Sequence, residues 1–254
     1  MANSKSWAKI FKDYKIRQHD FDKAPFVISA AQIKKACQKF TETNEKEVRI
    51  LCKQDSREDR PQVFQKLGLF LLPINNGRYQ IIKGEGYINI PSIRNKPKTY
   101  SSKLEFQLDT TKAGNSEMQH LDFAYAASLI RTFMNDPSLV LTIRGRKYTP
   151  EFSFMIGNQT IETKGVQTEV DAGYEGKNQV VLVEAKNSNT KNTIIRQLYY
   201  PLRQWKEHTN KKIVTLFFEK KNIENIYSIW QFEFTDVNNY NSIKLIRSGK
   251  FKIV

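Results

Sequence analysis

The sequence predicts a mixed α/β protein, with helices flanking a central mixed sheet that is substantially antiparallel and a smaller helix-and-hairpin region in front of it. Three observations carry this. The 254 residues are 39% hydrophobic and 12% aromatic, enough for one large core or one core plus a small second domain. Apolar residues recur at helical spacing early in the chain and around residues 116–133, whereas period-two alternation dominates from Leu139 onward. Turn sequences, Asn75-Asn76-Gly77, Gly157-Asn158 and Gly176-Lys177-Asn178, separate alternating runs.

In order, Trp7, Ile10, Phe11 and Tyr14 place an amphipathic helix in residues 1–23. Ser29 reads as the N-cap of a helix reaching Phe40, whose apolar face is Ala30, Ile33, Cys37 and Phe40. Gln32, Lys35 and Lys39 lie away from that face, and the helix reads equally as one that enters a DNA groove or as a solvated surface. Residues 47–51 read as a strand. The run Lys53-Gln54-Asp55-Ser56-Arg57-Glu58-Asp59-Arg60 has the side chains of a base-reading loop and also those of a solvated one. Pro61 opens a short helix that Gly68 closes, and a hairpin turns at 75–77. Helices followed by such a hairpin loosely resemble a winged helix.

Few apolar residues occur between Pro91 and Lys103, so the boundary is expected there, with an N-terminal region of residues 1–100 and a core of 101–254. Ser116 introduces a helix to about Phe133. Strands are predicted at 139–144, 151–156 and 160–166, then a hairpin from Glu169 to Lys186. A helix over 192–208 follows, with a kink at Pro201, and then strands at 212–218, 228–234 and 242–246.

The formal charge is +15, with 41 Lys and Arg against 26 Asp and Glu, which suggests a polyanionic partner, most simply double-stranded DNA. A merely soluble basic protein is the bland alternative. No stretch is apolar enough to span or coat a membrane, and the first residues lack a signal-peptide core. Cys37 and Cys52 are too few for a disulfide framework or a cysteine-based zinc site, so a cytoplasmic protein is expected. His19, His120 and His208 are isolated and suggest no histidine metal centre, His120 reading as a helix-packing residue.

The hairpin Glu169–Lys186 carries the chemistry. Centring its turn between Lys177 and Asn178 sets Asp171 across from Glu184 and Glu169 across from Lys186. Those four share one face. Val170, Ala172, Val181, Val183 and Ala185 take the other, buried face. Two carboxylates held together beside a lysine attract a divalent cation, which reads as a nuclease metal site; the alternative is a cross-strand salt-bridge cluster. A second match, Glu151 with Glu162-Thr163-Lys164, is disfavoured because its strand is polar and leads into another strand rather than a helix, and Lys164 with Glu162 is expected as a surface pair.

Asp171 followed by Glu184-Ala185-Lys186 resembles the PD-(D/E)xK nuclease superfamily. Gly114-x-Ser116-Glu117-x-Gln119, Thr142-Ile143-Arg144-Gly145-Arg146, Gln167 to Gly176 and Arg196-Gln197-Leu198-Tyr199-Tyr200-Pro201 together resemble one group of bacterial type II restriction endonucleases, over about residues 45–250. Val170 stands where that family usually has proline; this position makes no chemistry. The resemblance implies a restriction-endonuclease-like core and Mg²⁺-dependent hydrolysis of duplex DNA leaving 5′-phosphates. It further implies a homodimer, recognition by residues before about 100, and a cognate DNA methyltransferase as genetic partner.

Carried onto this chain, Asp171 and Glu184 ligate Mg²⁺ with the Ala185 carbonyl, and Lys186 orients or deprotonates the attacking water. Glu117 takes the place of an extra acid touching the metal waters, or is plain surface charge. Glu169 helps the metal or pairs with Lys186. Gln197 matches the glutamine that holds Lys186 or a phosphate, or is helix surface. Lys35, Lys53, Gln54, Asp55 and Arg57 are the candidate DNA readers, and Arg144 and Arg146 beside Gly145 suit phosphate contacts. A structure-specific repair nuclease and a non-enzymatic DNA-binding regulator are the alternative readings.

Overall fold

The computed structural model describes residues 3–110, 114–187, 189–221 and 226–254. The N-terminal part runs α1 (Ser4–Asp13), β1 (Phe26–Ser29), α2 (Ala30–Cys37), α3 (Thr43–Lys46), α4 (Val48–Leu51), α5 (Gln62–Leu67), β2 (Leu69–Asn75) and β3 (Arg78–Lys83). Ser29 caps α2 through a capping box with Gln32, as its sequence predicts. The expected strand at 47–51 is instead the single turn α4. Its β-branched residues favour extension, but α1 overrides them: the Trp7 indole N–H donates to the Leu51 carbonyl at 3.0 Å and the Asn3 amide to that of Ile50 at 3.2 Å. The three strands form an antiparallel sheet in the order β1-β3-β2.

Then follow β4 (Tyr87–Asn89), β5 (Lys98–Tyr100), α6 (Glu117–Ala126), α7 (Leu129–Met134), β6 (Val140–Tyr148), β7 (Phe152–Ile156), β8 (Gln159–Thr163), β9 (Gln167–Glu175), β10 (Gln179–Lys186), β11 (Asn192–Ile194), α8 (Arg196–Lys206), β12 (Lys212–Lys221), β13 (Ile226–Phe234) and β14 (Ile243–Ile253). Seven strands form the central mixed sheet in the order β5-β14-β13-β12-β10-β9-β6; β10–β12 and β14–β5 pair parallel and the other pairs antiparallel. Helices α6 and α7 cover one face, with Leu121, Leu129 and Ile130 meeting Ala172, Val181, Val183 and Ala185. Helix α8 covers the other face and continues through Pro201.

Three sequence expectations change here. The helix expected over 116–133 breaks at Ser128, which adopts left-handed backbone at φ 65°. The helix expected from Asn192 begins only at Arg196, because Asn192–Ile194 pairs with β4. The polar stretch 91–103 is stitched to the core: β5 pairs with β14, and the Trp230 indole donates to the Pro91 carbonyl at 2.9 Å.

The hairpin β2–β3 joins the two parts of the chain. Leu69, Leu71 and Ile81 face the N-terminal helices, where Trp7, Phe11 and Phe64 pack edge to face. Phe70, Leu72 and Ile82, one residue out of phase, pack against Tyr199, Tyr200 and Trp230 of the central layer.

Candidate active site

β9 and β10 meet in the predicted register, Val180 opposite Glu175 through Val183 opposite Ala172, so the same count carries Asp171 alongside Glu184. The turn between them closes with the Gly176 N–H on the Gln179 carbonyl at 2.8 Å. Gln179 in turn donates to Asp136 at 2.8 Å. Past Val183 the backbone pairing ends, and the Ala185 N–H donates instead to Asp171 Oδ2 at 2.7 Å. Lys186 Nζ donates to Glu184 Oε1 at 2.5 Å. Asp171, Glu184 and Lys186 therefore converge at the end of the hairpin, and among the described residues each carboxylate keeps a second oxygen for a further ligand.

The electrostatics are those of a strained anionic site. Burial pushes the Glu184 carboxyl up to about 7, with the Asp171 charge adding to the shift and Lys186 opposing it. Burial also raises Asp171, against the pull of the Ala185 N–H and Lys186. Burial alone would lower Lys186, but the Glu184 carboxylate outweighs it and holds the ammonium above its ordinary range.

Glu117 arrives from the first turn of α6, where Ser116 caps the helix, and accepts from the Asn187 N–H at 3.3 Å. It is thus brought to the site. Gln197 lines one cleft with Glu169 and Glu184, yet its amide oxygen accepts from the Thr193 hydroxyl at 2.7 Å rather than holding Lys186. Glu169 pairs with Arg146 at 3.2 Å, not with Lys186.

A bulge explains that last difference. The β6–β9 register shifts between Leu141 and Ile143 and again between Ile143 and Gly145, opposite Asp171. Val170 accordingly lies with Ile143, Val180 and Leu182 on the α8 face, not with Ala172 on the α6 face as strict alternation predicts. Arg144 sits at the bulge, donates to the Asp171 carbonyl at 3.3 Å and pairs with Asp122 of α6.

The other expected DNA readers divide. Lys35 is exposed on α2, and Lys53 is exposed beside Asp55. Gln54 is 2% exposed, so it presents nothing to a base edge as the chain stands. The Arg57 guanidinium is consumed internally, donating to Asn89 Oδ1 at 2.6 Å and the Tyr87 carbonyl at 3.2 Å. The loop they occupy packs beside the site. The Ile194 N–H donates to the Asp55 carbonyl at 2.8 Å, and the Arg57 N–H to Asn192 Oδ1 at 2.7 Å. Sequence reading missed Asp122 and Arg196; the latter stands next to Gln197 in a segment already singled out, whereas nothing local marks Asp122.

The rival match is an exposed surface pair on the separate hairpin β7–β8, with Lys164 bonded to Glu151 at 2.7 Å rather than to Glu162.

Fold and site together define a mixed α/β protein whose central sheet presents a buried carboxylate, a half-buried one and a lysine at the end of one hairpin. The chain belongs to the family described as Domain of unknown function (DUF6997), which matches residues 82–252, and residues 4–81 match a second, Domain of unknown function (DUF6996). The boundary between them falls inside β3. No curated protein and no solved structure matches the chain. Among the described residues no helix is long and apolar enough to cross a membrane.

Proposed function

We propose that this protein is a sequence-specific double-stranded DNA endonuclease of the restriction type, with Mg²⁺ held at Asp171 and Glu184. The convergence of Asp171, Glu184 and Lys186 at one strand end is the observation that carries the reading. The net charge of +15 supports a DNA substrate. The fit to a hard cation rests on a buried and a half-buried carboxylate brought together, each destabilised in its charged form. Among the described residues no group of three or more His, Cys, Asp or Glu side chains is placed to hold a metal ion. The ion would therefore take Asp171, Glu184, the Ala185 carbonyl and water, the sparse oxygen set that Mg²⁺ accepts. Bound there, Mg²⁺ would supply charge stabilisation at the scissile phosphate and a more acidic water.

The chain's own groups do the positioning. Ala185 N–H fixes Asp171, and Lys186 Nζ, anchored on Glu184 Oε1, is placed to orient the attacking water. Glu117 stands at the edge, its carboxylate accepting from the Asn187 N–H. A homodimer would give the two sites that cutting both strands requires, and a cognate DNA methyltransferase would protect the host.

The test is digestion of a defined plasmid with Mg²⁺. Discrete bands with 5′-phosphate ends are expected, and Lys186→Ala and Asp171→Ala should abolish cleavage while duplex binding survives. Normal cutting by Lys186→Ala would overturn the assignment. Smears or branch-dependent nicks would indicate a structure-specific nuclease instead, and no cleavage with any divalent metal, a DNA-binding regulator.

A further inference from the structure

Arg196, the first residue of α8, holds a position that the proposed chemistry has not used. Its side chain is 24% exposed, so most of it is out of water. Among the described residues its guanidinium donates no hydrogen bond; the nearest carboxylate is Asp55 of the 53–60 loop, with Asp55 Oδ1 3.8 Å from Arg196 Nη2. A guanidinium has five N–H donors in a rigid fork, and a half-desolvated one ordinarily satisfies them bidentately. Here the neighbour is close enough to neutralise and too far to bond. Arg203, further along the same helix, shows the contrast: it donates to the Ser153 carbonyl at 3.0 Å and the Val237 carbonyl at 3.1 Å.

The surroundings specify the ligand. Gln197, next in sequence, lines the cleft that contains Glu184. Asp55 lines a neighbouring cleft with Lys186 and Lys191. Glu58 and Asp59 line that second cleft too, but their carboxylates are held by Asn192 and Ser56. An anion reaching Arg196 beside it therefore meets a planar fork, Lys191, Lys186 on its Glu184 partner, and Asp55 as the one carboxylate without a hydrogen bond among the described residues. A phosphodiester suits the fork in size and geometry. Asp55 comes from the N-terminal segment and Arg196 from the core, so the pair spans the two family segments.

We propose that Arg196 is a phosphate-binding residue of the cutting site, and that Asp55 occupies its guanidinium in the DNA-free protein and yields it to the DNA backbone. This rests on the nuclease reading for its substrate. No bond is made or broken: one carboxylate is exchanged for one phosphodiester, and the released Asp55 turns to water or to Lys53, 3.8 Å away. Asp55 thereby discriminates against weak encounters, because a phosphate must outcompete it.

The experiment is a double-mutant cycle of Asp55→Asn and Arg196→Ala, with Arg196→Lys as the conservative variant, in the full-length protein. Binding to a duplex carrying random sequence is measured in EDTA across a salt series, and plasmid cleavage in Mg²⁺. Arg196→Ala should weaken binding about tenfold or more, the worth of a charge-assisted hydrogen bond, and reduce the salt slope by about one. Arg196→Lys should restore the slope but only part of the affinity. Asp55→Asn should tighten binding several-fold when Arg196 is present and leave it unchanged in the Arg196→Ala background. A purely structural pair would lower Tm in each variant without that Arg196-dependent tightening.

Wild-type binding by Arg196→Ala, or an Asp55→Asn effect independent of Arg196, overturns the inference. Should either arginine variant not fold, Asp55→Asn alone decides, since a failure to tighten binding overturns it. The nuclease reading fails separately: if the wild type cuts nothing yet the cycle shows coupling, Arg196 binds phosphate in a protein that is no nuclease. If the wild type binds no duplex, both fall.

Discussion

Glu184 is 8% exposed with one ammonium against it, and this sets how the protein should answer to pH. Its carboxyl, ordinarily near 4.5, is pushed to about 7 by burial, so the folded chain holds that proton more tightly than the unfolded one. The stability it contributes is therefore complete below about pH 4.5 and lost as pH rises through about 7. Asp171, also raised, acts in the same direction. A divalent cation between the two carboxylates would restore what ionisation removes. Mg²⁺ should thus raise Tm at pH 8 and scarcely at pH 5, and the difference should vanish in Asp171→Ala; equal shifts at both pH values would count against the site. The pair Asp171 and Glu184 was legible in the sequence because strand alternation and one tight turn fix which residues oppose. Glu169 was not, because the bulge opposite Gly145 breaks the alternation just before Asp171. Arg144 and Asp122, which brace that bulge, are joined only by the fold.

Secondary elements were readable where local chemistry agreed with tertiary packing. The capping box of α2 is one such place: Ser29→Ala should cost about 1 kcal/mol in urea unfolding without altering cleavage, since α2 packs on the N-terminal cluster. The hairpin carrying the site is another. Where the two disagreed, packing won: α4 is helical because α1 holds its carbonyls, and β11 is extended because β4 pairs with it. Gly173 shows how tightly the site's own strand is fitted. A Cβ there would stand 2.6 Å from Ile143 Cβ, across the β6–β9 contact and two residues from Asp171. Gly173→Ala should destabilise by about 1–3 kcal/mol, as overpacking does, and should lower cleavage beyond its effect on Tm because it moves the bulge. Cleavage falling only in proportion to folded protein would show that the bulge has no part in positioning Asp171.

At the scale of the molecule, composition indicated a globular chain with one large core or one core plus a small second domain, and periodicity indicated a mixed α/β fold; the mixed sheet with helices on both faces agrees with the latter. The polar stretch 91–103 looked like a joint because its residues are individually uninviting to a core. Its strand β5 closes the edge of the central sheet by backbone pairing, which composition does not report. The seam between the family segments lies earlier, within β3, and apolar packing rather than a linker crosses it. A single cooperative thermal transition is expected, and Phe70→Ala, which empties the core side of the hairpin, should cost about 3–5 kcal/mol and lower that one Tm rather than split it. Two calorimetric transitions in the wild type would show that the halves melt independently.

That hairpin is a party wall. Alternate residues of β2 furnish rooms on opposite sides, so neither occupant can be replaced without redecorating the other. A chimera that takes residues 4–81 from one family member and the remainder from another inherits Phe70 and Leu72 positions shaped for a neighbour it has left behind. Exchanging the front segment of such a protein should therefore give a folded chain only when the wall is carried across with both of its faces matched.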